Sequence, residues 1–383
     1  MRLDSIASTA PHLIKRLEHF RDFTMAHPRL VKARDDLVDA IDGAAPGSLI
    51  FVIGPTGVGK TTVRTKVEDL LTRQMATAMS VDRGRLPFAS VEVVPPDTGR
   101  FRWRDYFSRL LAAMNEPLIE FKTARGATIP PAPSRPPSMV GSAELGYAVE
   151  QALRHRRPPV VLVDEAQHLA RIASGRRLSD QLDVIKSIAN RTETVHVLLG
   201  TYELLAFRNL SAQLSRRSVD LHFERYRADS TEDLQVFRNV LLTFEKQLPF
   251  AKAETDLMPI WEFLYERSVG CVGILKEWLM RACVRAIKHG TPSLSHDHLE
   301  KTALSISQCE KILAESREGE TRLNDHEDET LRFRTLLGIE SQSHSSAERR
   351  PGEVLPPRKR KAGRPGQRAP QRDPITQDVP AYA

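Results

Sequence analysis

The stretch Ser48-Leu-Ile-Phe-Val-Ile-Gly54-Pro-Thr-Gly57-Val-Gly59-Lys60-Thr61-Thr62 decides the fold of this chain. An apolar run leads into a glycine-rich turn, and apolar residues at helical spacing follow, which predicts a strand, a loop and the start of a helix. The spacing from Gly54 to Gly59-Lys60-Thr61 is the phosphate-loop pattern. In this pattern, glycines let successive backbone N–H groups turn inward and bind an anion at a helix N-terminus.

The same loop is predicted to hold a nucleotide. The Lys60 ammonium is expected to reach the β- and γ-phosphates, and the Thr61 hydroxyl is expected to bind Mg²⁺. ATP and Mg²⁺ are therefore the predicted cofactors. The predicted contacts of the loop are Gly54, Pro55, Thr56, Gly57, Val58, Gly59, Lys60, Thr61 and Thr62.

Length, charge and cysteine content set the class of protein. The 383 residues, 40% of them hydrophobic, are enough for one large or two modest domains. The net charge of +7 favours a polyanionic partner. We find no apolar run near the roughly eighteen residues of a membrane span and no signal-peptide pattern at the start. Three cysteines without metal-ligand spacing indicate structural thiols. We expect a cytoplasmic protein with no membrane partner.

A second apolar run, Val160-Val-Leu-Val-Asp164-Glu165, ends in two acids. It predicts a buried parallel strand that carries both carboxylates to its C-terminal edge, where α/β sheets bind ligands. Asp164 is expected to hold Mg²⁺ through water, and Glu165 to orient or deprotonate the water that attacks the γ-phosphate. The alternative is that the acids only cap a helix.

The strand predicted over 195–200 ends at Thr201, beside the acids of its neighbour. Thr201 is therefore a candidate to hold the attacking water, and a plain turn or cap is the alternative. Farther along, Lys276 lies near the start of a predicted helix and is a candidate to point back at the nucleotide. A solvated helix lysine is its alternative interpretation.

Arginines interleave with aromatic residues directly after the second predicted strand. Arginine binds phosphate and rings can stack on bases, so in a basic protein this segment is a candidate nucleic-acid contact. The alternative is an amphipathic helix start whose aromatic residues belong to the core. The candidate DNA-binding residues are Arg100, Arg102 and Arg104.

Composition divides the chain into four segments and predicts an α/β fold: a parallel-sheet core followed by an all-helical lid. In the lid we expect helices over about 230–246, 254–268, 271–288 and 295–317. The tail turns acidic and then strongly basic, which suits a disordered interaction segment. The segments are an N-terminal helical extension (1–45), the core (46–228, with a proline-rich insertion at 116–138), the lid (229–317) and the tail (318–383).

A phosphate-loop core followed by a helical lid resembles an AAA+ ATPase. Over about residues 25 to 310, the chain further resembles the TniB/TnsC family of transposition ATPases, relatives of the phage Mu B protein. The segments that carry this resemblance are His27-Pro28-Arg29, Asp164-Glu165-Ala166-Gln167-His168-Leu169, Leu199-Gly200-Thr201 and Val272-Gly273-Ile-Leu-Lys276.

The resemblance implies an ATPase that regulates transposition. Its ATP-bound subunits would form a homo-oligomer on double-stranded DNA and recruit or activate the transposase together with target-selection proteins, and hydrolysis would disassemble them. Arg216 or Arg217 would be the arginine finger that reaches a neighbour's γ-phosphate, with Arg216 favoured. Thr201 would be the first sensor and Lys276 the second.

Two other functions are compatible with parts of the pattern. A helicase shares the Gly54–Thr61 and Asp164–Gln167 motifs, but it needs a second α/β motor domain, and the residues after 230 predict helices. A signalling scaffold that uses nucleotide only as a switch needs no DNA. The basic tail and the Arg100–Arg104 segment favour a DNA role over that scaffold.

Overall fold

The computed structural model describes residues 11–95, 101–122, 141–170, 178–208, 218–250, 255–323 and 327–338. Within them, five strands form one parallel sheet in the order β2-β3-β4-β1-β5. This confirms the predicted α/β class with a parallel core. The strands are β1 (Leu49–Ile53), β2 (Ala89–Glu92), β3 (Val160–Asp164), β4 (Val195–Gly200) and β5 (Ser218–His222).

Helices surround the sheet and continue beyond it. Short 3₁₀ turns lie at Ile119–Phe121, Ala166–Ala170, Tyr202–Leu204 and Met258–Ile260. The α-helices of the described residues are α1 (Pro11–Asp22), α2 (Pro28–Asp42), α3 (Lys60–Val81), α4 (Trp103–Ala113), α5 (Ser142–Arg156), α6 (Leu178–Thr192), α7 (Leu205–Arg208), α8 (Thr231–Gln247), α9 (Trp261–Ser268), α10 (Val272–Lys288), α11 (His296–Glu300), α12 (Ile306–Leu323) and α13 (Glu327–Leu336).

The central strands β1, β3 and β4 are buried along their whole length, whereas the edge strands β2 and β5 are partly exposed. A parallel strand with helices on both faces has no solvated side, which explains why these three strands are nearly continuous apolar runs. Separate clusters of buried apolar side chains cover the two faces of the sheet.

The two helices of the N-terminal extension pack on different parts of the molecule. Leu17 and Phe20 of α1 belong to the apolar cluster of the lid, together with Trp278 of α10. Leu37 and Ile41 of α2 instead join a cluster on the sheet. The extension therefore connects the core and the lid, which belong to one compact unit spanning 1–325.

One predicted lid helix is divided in the structure. The predicted lid helix over 295–317 is two helices, α11 and α12, because Ser305 and Gln308 form a capping box that starts a new helix: the Ser305 amide donates to Gln308 Oε1 at 2.9 Å. After Thr201, the 3₁₀ turn Tyr202–Leu204 is followed directly by α7, and residues 209–217 lie outside the described part.

The last lid helix, α12, continues to Leu323, past the predicted end at 317. Its polar end is held by tertiary contacts of Gly319 and Glu320, described below. Helix α13 forms within the range predicted as tail, and residues 339–383 lie outside the described part. Most of the proline-rich insertion, from 123 onward, lies outside it as well. No helix in the described ranges has the length and apolar character needed to cross a membrane.

Candidate active site

The predicted phosphate loop joins β1 to α3 at the C-terminal edge of the sheet. Gly57 and Gly59 have φ angles of +73° and +118°, which favour glycine. At Gly54, a Cβ would lie 2.3 Å from the carbonyl oxygen of Phe223, so this close approach of two backbones requires glycine. The Gly54 amide donates to the carbonyl of Gly200 at 3.3 Å, which fixes the loop next to the end of β4.

The side chain of Lys60 bends back toward the phosphate loop and is buried there. Its ammonium donates to the carbonyl oxygens of Gly54 and Pro55 at 2.9 and 2.8 Å. Burial lowers the pKa of Lys60 to about 8, against the opposing effect of the nearby Glu165 and Asp164 carboxylates. The two carbonyl oxygens stabilise the buried ammonium of Lys60, and phosphate oxygens of a bound nucleotide can replace them as acceptors.

Thr61 and Asp164, the two predicted Mg²⁺ ligands, are in contact. The Thr61 hydroxyl donates to Asp164 Oδ2 at 2.9 Å, and Asp164 is buried at the end of β3. Arg64, one helical turn after Lys60, places Nε 3.4 Å from the same carboxylate oxygen. Sequence analysis assigned no role to Arg64, although its side chain on α3 lies beside the predicted acid Asp164.

The pair of oxygen ligands fits Mg²⁺. Mg²⁺ prefers hard oxygen donors and keeps several waters, so one carboxylate and one hydroxyl are sufficient when phosphates supply the rest. Among the described residues there is no cluster of three or more metal-ligating side chains. A shared site completed by nucleotide phosphates therefore fits better than a closed protein cage.

Glu165 follows β3 with a positive φ of +52°, an uncommon conformation for a residue with a side chain. Its carboxylate accepts a hydrogen bond from the side-chain amide nitrogen of Gln167 at 2.5 Å. On the neighbouring strand, the Thr201 amide donates to Gln167 Oε1 at 3.3 Å. The Thr201 hydroxyl is buried, and no described group hydrogen-bonds to it.

The N-terminus of α10 packs directly on the phosphate loop. The Ile274 amide donates to the carbonyl of Gly57 at 3.2 Å, and a Cβ on Gly273 would lie 2.4 Å from the same oxygen. The lid is therefore in backbone contact with the loop. Lys276 lies one turn later, where its ammonium donates to the carbonyl of Arg21 in the last turn of α1 at 2.8 Å and to that of Phe23, just after α1, at 2.6 Å.

A cavity of about 330 Å³ separates the loop from α12. On the loop and sheet side it is lined by Thr56, Gln167 and Thr201, and on the helix side by Glu315 and Arg322 among others. Helix α12 therefore borders a cavity beside the phosphate loop and the segments that follow β3 and β4.

The aromatic residues near the candidate DNA contact are packed against one another. The ring centroid of Trp103 lies 5.0 Å from that of Phe101 and 5.6 Å from that of Tyr106, and both Trp103 and Tyr106 are buried. Arg102 and Arg104 are exposed at the start of α4. The burial of Trp103 and Tyr106 agrees with the core interpretation for these two rings, whereas Arg102 and Arg104 are accessible to solvent.

Three predicted site residues lie outside the described residues: Arg100, Arg216 and Arg217. The structure brings the predicted ATP and Mg²⁺ residues, Glu165 and Thr201 to one edge of the sheet. It does not place the Lys276 ammonium on the phosphate loop. Sequence reasoning assigned no role to Gln167, although this residue belongs to the Asp-Glu-Ala-Gln segment.

Residues 45–207 match the family model described as AAA domain. Together with the five-stranded parallel sheet and the phosphate loop, the match supports a P-loop AAA+ fold for this part of the chain. No curated protein matches the sequence.

Several solved structures are similar to the chain. The ORC2 protein of Aeropyrum pernix in ADPNP-ADP complexes has 16% identity and a TM-score of 0.49, with 76% of this chain and 73% of that chain covered. Cdc6p from Pyrobaculum aerophilum has 13% identity, a TM-score of 0.44, and coverage of 79% and 70%. Drosophila ORC bound to DNA has 14% identity, a TM-score of 0.39, and coverage of 75% and 66%.

Proposed function

We propose that the protein is a cytoplasmic ATPase of the TniB/TnsC type that regulates transposition. In this proposal, ATP-bound copies assemble on duplex DNA and recruit or activate a transposase, and hydrolysis disassembles the assembly. The observation that supports it most is the convergence of Thr61, Asp164 and Glu165 beside the phosphate loop, with Thr61 hydrogen-bonded to Asp164.

The proposed reaction is hydrolysis of the β–γ phosphoanhydride of ATP. The water oxygen forms a bond to the γ-phosphorus while the bond from that phosphorus to the β–γ bridging oxygen breaks, giving ADP and phosphate. Glu165 accepts the proton that the water loses, and Lys60 stabilises the charge on the phosphates. Thr61 and Asp164 would hold Mg²⁺, which neutralises phosphate charge when it is bound.

The proposed DNA contact uses charge and not base stacking. Arg102, the N-cap residue of α4, and Arg104 in its first turn are exposed, whereas the rings of Trp103 and Tyr106 are buried. Arginine contacts with phosphates carry no sequence information, so the binding is expected to be largely independent of sequence and to weaken steeply with salt. Several such contacts acting together in an oligomer would give one avid site.

The proposed assembly places active sites between copies of the chain. Arg216 or Arg217 would reach the γ-phosphate of a neighbouring copy, Thr201 would orient the attacking water, and Lys276 would be the second sensor. For this last role, Lys276 must exchange the carbonyls of Arg21 and Phe23 for the nucleotide. Mixing Arg216→Ala with Lys60→Ala subunits tests the shared site, because each variant supplies the group that the other lacks.

The experiment that tests the function compares duplex DNA binding in three states: with a non-hydrolysable ATP analogue, with ADP and without nucleotide. Anisotropy of labelled duplexes of two unrelated sequences measures the affinity, and phosphate release with and without DNA measures turnover. We expect tight binding only with the analogue and faster turnover with DNA. Equal binding in all three states would contradict the coupling and favour a nucleotide-switched scaffold.

A further inference from the structure

Gln167 links the proposed water-activating carboxylate to the neighbouring strand. Its amide nitrogen donates to Glu165 Oε2 at 2.5 Å, and its amide oxygen accepts from the Thr201 N–H at 3.3 Å. A carboxylate only accepts and a backbone N–H only donates, so these two partners fix the orientation of the amide. The side chain therefore bridges the end of β3 to the end of β4.

The bridge is buried and closely fitted. Gln167 is 5% exposed, so both of its polar ends need partners. A Cβ on Gly200 would lie 2.5 Å from Gln167 Oε1, which means that glycine at the end of β4 leaves the space that the amide occupies. At the other end, Glu165 adopts a positive φ of +52° directly beside the bridge.

These contacts restrict a side chain that is otherwise mobile. Glu165 is partly exposed at the edge of the sheet, and a solvated carboxylate samples several rotamers. The hydrogen bond from Gln167 takes one carboxylate oxygen and leaves the other available for a water molecule. Because the same amide is tethered to Thr201, the carboxylate is held at a set position relative to the strand tip.

We propose that Gln167 is a positioning residue for hydrolysis: it holds the Glu165 carboxylate in place through a tether to the backbone of Thr201. The inference rests on the proposed ATP hydrolysis. The two side-chain hydrogen bonds of Gln167 go to Glu165 and to the Thr201 amide, so its effect on the reaction passes through Glu165. Its loss is therefore expected to lower kcat while nucleotide affinity is retained.

Two variants separate the two ends of the bridge, and a third variant is their control. Gln167→Ala removes both hydrogen bonds. Gln167→Glu keeps an oxygen that accepts from the Thr201 amide but replaces the donor to Glu165 by a second carboxylate. Gln181→Ala is the matched control, because Gln181 is an equally buried glutamine, on α6, whose side-chain oxygen has no hydrogen-bond partner among the described residues.

Two measurements are made on each variant: steady-state ATP hydrolysis with nucleotide affinity, and hydrogen exchange of the Thr201 amide without nucleotide. For Gln167→Ala we expect kcat to fall about 10- to 100-fold, as when other orienting groups are removed, with faster exchange at Thr201. For Gln167→Glu we expect a similar fall in kcat with exchange close to wild type. All three variants should keep nucleotide affinity within about twofold, because none of them removes a group that is proposed to bind the nucleotide.

The outcomes that overturn the inference are distinct. Wild-type turnover by Gln167→Glu would show that the hydrogen bond to Glu165 is not needed. A kcat of Gln167→Ala above that of the wild type would show that Gln167 holds Glu165 away from its active position. Unchanged exchange at Thr201 in Gln167→Ala would refute the tether. Absence of hydrolysis by the wild-type protein would refute the proposed function and with it the positioning role, while the exchange measurement would still report on the tether.

Discussion

Gly319 of α12 lies against the ring of Tyr202, so closely that a Cβ built on Gly319 would stand 2.0 Å from the ring Cγ. Tyr202 directly follows Thr201, and its hydroxyl lies 2.9 Å from His222 Nε2 at the end of β5. One residue beyond Gly319, Glu320 forms a double hydrogen bond with Arg225. The end of α12 thus packs on residues that follow β4 and β5, next to the candidate active site.

We expect Glu320→Gln to destabilise the protein by about 3 kcal/mol, because it leaves the buried Arg225 guanidinium without a counter-charge. The side chains of Arg225 and Glu320 are only 8% and 11% exposed. Glu318→Gln is the control: it breaks the pair with Arg322 on the same helix, whose side chains are 64% and 62% exposed. Exposed pairs contribute about 0–1 kcal/mol. Urea unfolding measures both, and equal losses would contradict the prediction.

Lys60→Ala and Glu165→Gln are expected to separate binding from hydrolysis. Lys60→Ala removes the buried ammonium under the phosphate loop and should weaken ATP binding about 100-fold, through lost charge-assisted hydrogen bonds. Glu165→Gln should bind ATP normally and turn over about 100- to 10,000-fold more slowly, the usual effect of losing a general base.

The control for this pair is Lys66→Ala, which removes an exposed lysine from the same helix, α3. It should change neither nucleotide affinity nor turnover. Equilibrium binding of a fluorescent ATP analogue and phosphate release measure the two effects. Normal turnover by Glu165→Gln would refute the assignment of Glu165.

Much of the core could be predicted from the sequence because its signals are local. The strands that end at Ile53, Asp164 and Gly200 are buried on both faces, so each is a nearly continuous apolar run that ends at or just before a polar residue or a glycine. The phosphate loop has its own spacing signature. Since parallel strands deliver their C-terminal ends to one edge, the proximity of the loop to Asp164 follows from the topology.

The contacts that organise α12 could not be predicted because they join distant residues. Arg225 and Glu320 are 95 positions apart, and nothing in their local sequence indicates that they pair. The polar, charged sequence around Gly319 favoured a tail, whereas its packing on Tyr202 makes it a helix. The break before α12 did have a local signal, the Ser305–Gln308 capping box.

Arg102→Ala combined with Arg104→Ala is expected to weaken duplex binding in the presence of an ATP analogue and to leave ATP affinity unchanged. Both side chains are exposed at the start of α4. Each lost phosphate contact should reduce the salt dependence of binding by about one in log–log slope. Anisotropy titrations at several salt concentrations measure this change.

Arg109→Ala provides the control for the double variant. Arg109 is an exposed arginine on the same helix, but its Nε is bound to Asp105 Oδ2 at 2.8 Å. It should leave the slope nearly unchanged. An unaltered slope in the double variant would remove Arg102 and Arg104 from the proposed DNA contact.

His196 should make the stability of the fold depend on pH. It is buried in β4, where its Nδ1 lies 3.0 Å from the carbonyl of Thr194, and burial lowers its pKa from 6.5 to about 4. Burial, with Arg29 nearby, also lowers the pKa of His27 to about 4. Between pH 6.5 and 4 these histidines bind more protons in the unfolded chain than in the folded one, so their contribution to the free energy of unfolding falls as the pH falls and levels off below about pH 4.

The expected contribution of His196 is on the order of 3 kcal/mol across this interval. His196→Leu should therefore flatten the pH dependence of the urea midpoint between pH 6.5 and 4. His155→Leu, which removes an exposed histidine from α5, should keep the wild-type dependence. If His196→Leu loses as much stability on acidification as the wild-type protein, His196 is not buried in its neutral form and the packing of β4 described above is incorrect at that position.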